Sequence, residues 1–62
     1  MGTTDVLLVP QGDAARMLGI TVREVYELRR SRQLVARKHG RKVLIPITEL
    51  RRYADSLPVE VV

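Results

Sequence analysis

Apolar residues recur at helical spacing in three stretches of this chain, and at strand spacing in one region between the second and the third. Across residues 11 to 18, Ala15 and Leu18 fall one turn apart with Met17 beside them, which predicts a short helix with that side turned inward. Gly19 supplies the permissive backbone that ends it. The start is weakly specified, because Pro10 stands where a capping hydroxyl is preferred and Gly12 loosens the first turn, although Asp13 suits the positive end of the helix dipole. A second helix is predicted over 22 to 31. Thr21 and Glu24 have the spacing of a capping box, in which the hydroxyl accepts from the residue 24 amide and the carboxylate accepts from the residue 21 amide. On a helical wheel Val25 and Leu28 share one side with the stem of Arg32, while Arg23, Tyr26, Glu27 and Arg30 form a polar stripe on another.

Beyond residue 33 the period shortens. The stretches LVARK (34 to 38) and KVLI (42 to 45) flank His39 and Gly40 and predict a two-stranded hairpin with its turn at 38 to 41. Pro46 closes the second strand. Residues 47 to 57 then predict a third helix in which Ile47, Leu50, Ala54 and Leu57 share a side and Tyr53 sits at the margin. The predicted fold class is mainly α with a small β-hairpin, comprising an N-terminal arm at 1 to 9, one domain at 10 to 57 and a tail at 58 to 62. That tail reads either as a short extended arm or as disordered.

A chain of 62 residues makes one domain. At this size only about 60% of the unfolded chain's surface is buried, too little for a deep substrate cavity. There is no cysteine, so packing must stabilise the fold without disulfides or a thiolate metal site. No apolar run reaches the roughly 20 residues of a membrane span, and the opening residues lack the basic start and small-residue cleavage site of a secretory signal. These features predict a soluble, cytoplasmic protein with no membrane partner.

Charge changes the picture most. The net charge is +4, and residues 29 to 42 hold seven of the eleven basic side chains (Arg29, Arg30, Arg32, Arg37, Lys38, Arg41 and Lys42) without one acidic residue. Such clustering is the footprint of a polyanionic partner. Its alternative is a solvated face. Four of these cations crowd around Gly40 at the predicted hairpin tip, where they repel one another until phosphates replace their counterions. His39, the single histidine, has no neighbouring ligand at metal spacing and reads as a turn residue, so no cofactor is expected. Nor does any motif assemble a nucleophile with a base, paired carboxylates or a phosphate-cradling loop, which argues against an enzyme.

The stretches DAARMLGITVREVY (13 to 26) and GRKVLIPITEL (40 to 50) resemble, in order and spacing, the signature of the excisionase-like branch of the MerR-like winged helix-turn-helix family. The resemblance spans about residues 8 to 57. It implies a winged helix-turn-helix that binds double-stranded DNA in a prokaryotic host, with the second helix in the major groove and the hairpin as a wing. Carried over by position are Thr21, Val22, Arg23 and Tyr26 on the helix and Arg41 beside Gly40 on the wing. Arg30, Arg37, Lys38 and Lys42 join them on charge. The Thr21 hydroxyl or amide and the Tyr26 hydroxyl suit phosphates, and Arg23 suits a bidentate guanine contact. Val22 stands where relatives often carry a polar or basic residue, and it reads either as an apolar contact to a thymine methyl or as packing on the domain itself. Arg29 and Arg32 divide between phosphate contact and the negative end of the helix dipole, Arg51 and Arg52 read as solvated, and Tyr53 reads as packing on the core.

The leading functional expectation is a recombination directionality factor of a phage or mobile element. Such an excisionase loads several neighbouring copies on repeated sites, bends DNA and directs an integrase toward excision, an expectation that also draws on how soon the chain ends after its third helix. The alternatives are a small transcriptional regulator and a basic adaptor gripping an acidic protein.

Overall fold

A computed structural model describes residues 6–61, so residues 1–5 of the expected arm and Val62 of the tail lie outside the described residues. The elements are β1 (Leu8–Pro10), α1 (Gln11–Leu18), α2 (Val22–Arg30), β2 (Arg37–His39), β3 (Lys42–Pro46) and α3 (Ile47–Ser56). The three strands form one antiparallel sheet in the order β1-β3-β2. This is a winged helix-turn-helix with one more strand than the sequence predicted. Leu8, Val9 and Pro10 pair with Pro46, Ile45 and Leu44, and the amide of Ile47 donates to the Leu7 carbonyl at 2.9 Å. Three residues carry too little periodicity to announce a strand; β1 exists because β3 offers it an edge and because Val9 is buried beneath it.

The core is one cluster of Val9, Ala14, Ala15, Val25, Leu34, Ile45 and Leu50, with Leu18, Ile20, Leu28, Ala36, Ile47 and Tyr53 packed around it. Every element except β2 contributes to it. Ala14 and Ala15 let α1 approach closely, and α1 packs chiefly on α2, β1 and β3. The expectation that Met17 turns inward is corrected: it is 57% exposed, because the buried face of α1 is centred on Ala14, Ala15 and Leu18 and Met17 lies about a quarter-turn away. A second correction concerns α3. Leu50 is buried and Tyr53 packs on the core, but Ala54 and Leu57 are exposed. The wheel gives them the direction of Leu50, yet a helix face is buried only as far as another element covers it.

Helix ends follow the sequence closely. Pro10 precedes α1 without any side-chain cap, whereas Thr21 and Glu24 form both halves of the capping box. The Thr21 amide donates to Glu24 Oε1 at 2.8 Å and the Glu24 amide donates to Thr21 Oγ1 at 3.1 Å. Donation to the Glu24 carboxylate by the Thr21 amide first, and then by the Thr21 hydroxyl, which reaches Oε1 at 3.1 Å, holds that carboxyl below its ordinary pKa. Gly19 takes the left-handed conformation after α1 (φ 75°). At the other end of α2 the chain leaves the helix at Arg30, one residue earlier than predicted, so Arg32 stands beyond the helix and its stem does not extend the Val25 face.

Residues 31 to 36 differ most from expectation. The first wing strand begins at Arg37, not Leu34; Leu34 instead drops into the core. The Val35 amide donates to Glu49 Oε1 at 3.0 Å rather than to a strand, and Arg52 Nη2 donates to the Gln33 carbonyl at 2.7 Å while its guanidinium also grips Glu49. Arg52, expected to be a solvated residue, is therefore part of a clamp that ties this segment to α3. The bond from Arg52 and that from the Val35 amide hold the Glu49 carboxyl down at a pKa of about 2. Because the folded value is depressed, the clamp contributes stability above the unfolded carboxylate range near 4.3 and loses it as pH falls toward 2. Exchange protection of the Val35 amide is expected to fall across that acidic window. In a Glu49→Gln chain it is lower from the outset and nearly independent of pH; equal acid sensitivity in both chains would remove the clamp.

Candidate nucleic-acid interface

Two features converge on the wing side. Helix α2 enters from a three-residue turn, Gly19-Ile20-Thr21, so its first turn is presented at a fixed angle by the capping box. The β2-β3 hairpin is closed by Gly40 and Arg41 between the paired residues His39 and Lys42. Gly40 has φ 64° and Arg41 has no positive φ, the pattern of a II′ hairpin turn, which needs glycine at its first central position. An open groove of about 650 Å³ runs between these parts, with Val22 on one wall, His39, Lys42, Val43 and Leu44 on the wing side and Pro10, Gln11 and Gly12 at the start of α1. The sequence placed Val22 and Lys42 among the candidate residues. Participation of the α1 start was not foreseen, because only the tertiary approach of α1 to the wing creates it.

All ten candidate residues, Thr21, Val22, Arg23, Tyr26, Arg30, Arg37, Lys38, Gly40, Arg41 and Lys42, are exposed. Val22 is 51% and Tyr26 48% accessible, so the apolar bodies of both side chains are open to a partner. Arg23 sits one turn before Glu27, with a guanidinium-carboxylate approach of 3.4 Å between side chains 85% and 59% accessible. Such a surface pair contributes little and yields readily to a better partner. Tyr26 and Arg30 border a second open groove with Arg29, Arg32 and Leu34 to Ala36. Arg37 lies apart from the others, three residues before the turn, in a third groove with Leu7, Leu8, Val35, Pro46, Thr48 and Glu49. Its charge helps depress the Glu49 carboxyl. Arg29 is fixed internally: its Nη1 donates to Gln11 Oε1 at 2.8 Å and its guanidinium lies 5.8 Å from the Tyr26 ring centroid.

Compared with known proteins, residues 12–58 match a family described as the helix-turn-helix domain, from the first turn of α1 to just past α3. The chain belongs to the helix-turn-helix domain family. No curated protein and no solved structure matches it. This family includes excisionase-like DNA-binding proteins, and its members are typically not enzymes. A helix-turn-helix domain binds DNA in a sequence-specific manner, so double-stranded DNA is the partner of this chain. Membership also fits the dimensions of the interface, since a major groove about 12 Å wide admits one helix such as α2 with room for side chains at its start. Among the described residues, no helix of this helix-turn-helix protein is long and apolar enough to cross a membrane.

Proposed function

We propose that this helix-turn-helix protein is an excisionase-type factor, which acts in the cytoplasm of a prokaryotic host and shapes DNA for an integrase. In this reading α2 lies in the major groove, with Arg23 reading a guanine, Val22 meeting a thymine methyl and Thr21, Tyr26 and Arg30 on the flanking phosphates. The wing residues Lys38, Arg41 and Lys42 follow the adjacent backbone, and Gly40 keeps their turn narrow. The observation that carries the DNA-contact geometry is the groove shared by Val22 on α2 and Lys42 on the wing, which sets helix and hairpin on either side of one channel.

The excisionase role draws on family kinship and on the surfaces left over for neighbouring copies. Leu7, Leu8 and Val35 are exposed around one groove, and Val59 and Val61 stand out from the tail at 84% and 85% accessibility. Apolar surface around that groove and along the tail suits contact between copies lined up along DNA. A single domain has a modest interface, and cooperation between neighbours supplies the specificity it lacks. Circular-permutation gels on a fragment carrying repeated binding sites test this: saturating protein is expected to bend the duplex. A straight fragment bound at every site would leave a small transcriptional regulator as the better reading, with sites that overlap a promoter.

A further inference from the structure

Helices α1 and α2 end in the same backbone geometry but with different residues at its critical position. After α1 the Gly19 amide donates to the Arg16 carbonyl at 3.2 Å and the Ile20 amide to the Ala15 carbonyl at 2.9 Å. After α2 the Arg32 amide donates to the Arg29 carbonyl at 3.1 Å and the Gln33 amide to the Leu28 carbonyl at 2.9 Å. Each is the nested pair of bonds that closes a helix through one left-handed residue. Glycine adopts that conformation freely. Arginine adopts it against the contact of its Cβ with the following carbonyl oxygen. Arg32, at φ 65°, is the only non-glycine residue with positive φ among the described residues.

Within the fold the Arg32 side chain returns nothing for this strain. Among the described residues it enters no ion pair and no side-chain hydrogen bond, and it is exposed. It lines the open groove of about 520 Å³ that also contains Arg29, Arg30 and Tyr26, over a floor of Leu34, Val35 and Ala36. No carboxylate lines that groove. Arg29 is held in place there by Gln11 and the Tyr26 ring. Three guanidinium groups thus border one concave surface with no internal counter-charge, an arrangement that an external anion relieves. Tyr26 and Arg30 belong to the exposed stripe of α2, so the groove continues that helix face past the helix end.

We propose that Arg32, together with Arg29 and Arg30, forms a site for a backbone phosphate of the bound duplex, and that this contact is why a strained arginine stands where the fold itself asks for glycine. The inference rests on the DNA-binding reading and adds to it a contact that the positions carried over from the family do not include. Phosphate contacts are independent of sequence, so a duplex of mixed sequence suffices as the probe.

The full chain and its Arg32→Gly and Arg32→Asn variants are compared by fluorescence anisotropy across a salt series and by thermal melting. Glycine relieves the backbone, and asparagine tolerates the left-handed region while lacking the charge. In Arg32→Gly the Tm is expected to rise by roughly 2–5 °C, while affinity at low salt falls about three- to tenfold and the salt slope becomes shallower by about 0.9. Arg32→Asn loses the same affinity and the same slope. Both variants binding with the wild-type slope would overturn the proposal. So would a lowered Tm in Arg32→Gly whose binding loss is absent from Arg32→Asn, because that loss would then come from damage to the fold. Absence of salt-dependent binding by the wild-type chain itself overturns the broader DNA-contact geometry as well, and is told apart from these outcomes by the wild-type titration alone.

Discussion

Replacing Leu34 by alanine is expected to lower the stability of the folded chain by about 2–5 kcal/mol, the largest effect of any single side-chain truncation here. Leu34 is 1% exposed and is among the three largest fully buried side chains, with Val25 and Ile45. It lies in the segment between α2 and β2, where it packs beneath a loop that has no regular secondary structure of its own. A domain of this size has total stability on the order of 3–9 kcal/mol, so the truncation removes a large share and leaves a chain that melts tens of degrees lower. Thermal melting followed by circular dichroism checks this. The control is Met17→Ala, whose exposed side chain should cost under about 0.5 kcal/mol. If the two variants melted alike, Leu34 would not be a core residue.

Neutralising the wing tip should have the largest effect on binding. A chain with Lys38, Arg41 and Lys42 all replaced by glutamine is expected to lose about a hundredfold in affinity for any duplex at low salt, and its salt slope should become shallower by about 2.7. The fold should survive, since all three side chains are exposed and their removal relieves repulsion at the hairpin tip. Arg23→Ala provides the contrast. Its loss of roughly 1–3 kcal/mol should fall on the preferred sequence and relax one base position, leaving non-specific binding almost unchanged. A titration of all these proteins on preferred and mixed-sequence duplexes decides the matter. Uniform losses from Arg23→Ala would make it another phosphate contact, and an unchanged salt slope in the triple variant would take the wing off the DNA.

The elements legible in the sequence are those whose cause lies within a few residues. The capping box of Thr21 and Glu24 gave the start of α2, Gly19 gave the end of α1, and His39-Gly40 between two short apolar runs gave the hairpin. The candidate interface was legible for a related reason. Exposed stripes and charge runs are properties of a local stretch, and Tyr26, Arg30 and the wing cations stand on the surface as expected. The Leu34 segment was misread because LVA is an apolar run that fits a strand or a buried loop equally well. Its choice was made by Glu49 and Arg52, more than a dozen residues later, which take the Val35 amide that a strand would have used and the Gln33 carbonyl just before it.

By itself, then, the sequence determined three helices, a glycine-closed cationic hairpin and a chain whose positive charge is concentrated between residues 29 and 42, because each follows from spacing, caps and turn chemistry that act between near neighbours. The tertiary structure decided that Leu8–Pro10 becomes a strand, that Ala54 and Leu57 stay in solvent, that Arg52 is a clamp and that Val22 shares a groove with Lys42. Those outcomes depend on which distant segment arrives to cover, pair with or border a residue, and no local periodicity encodes that arrival.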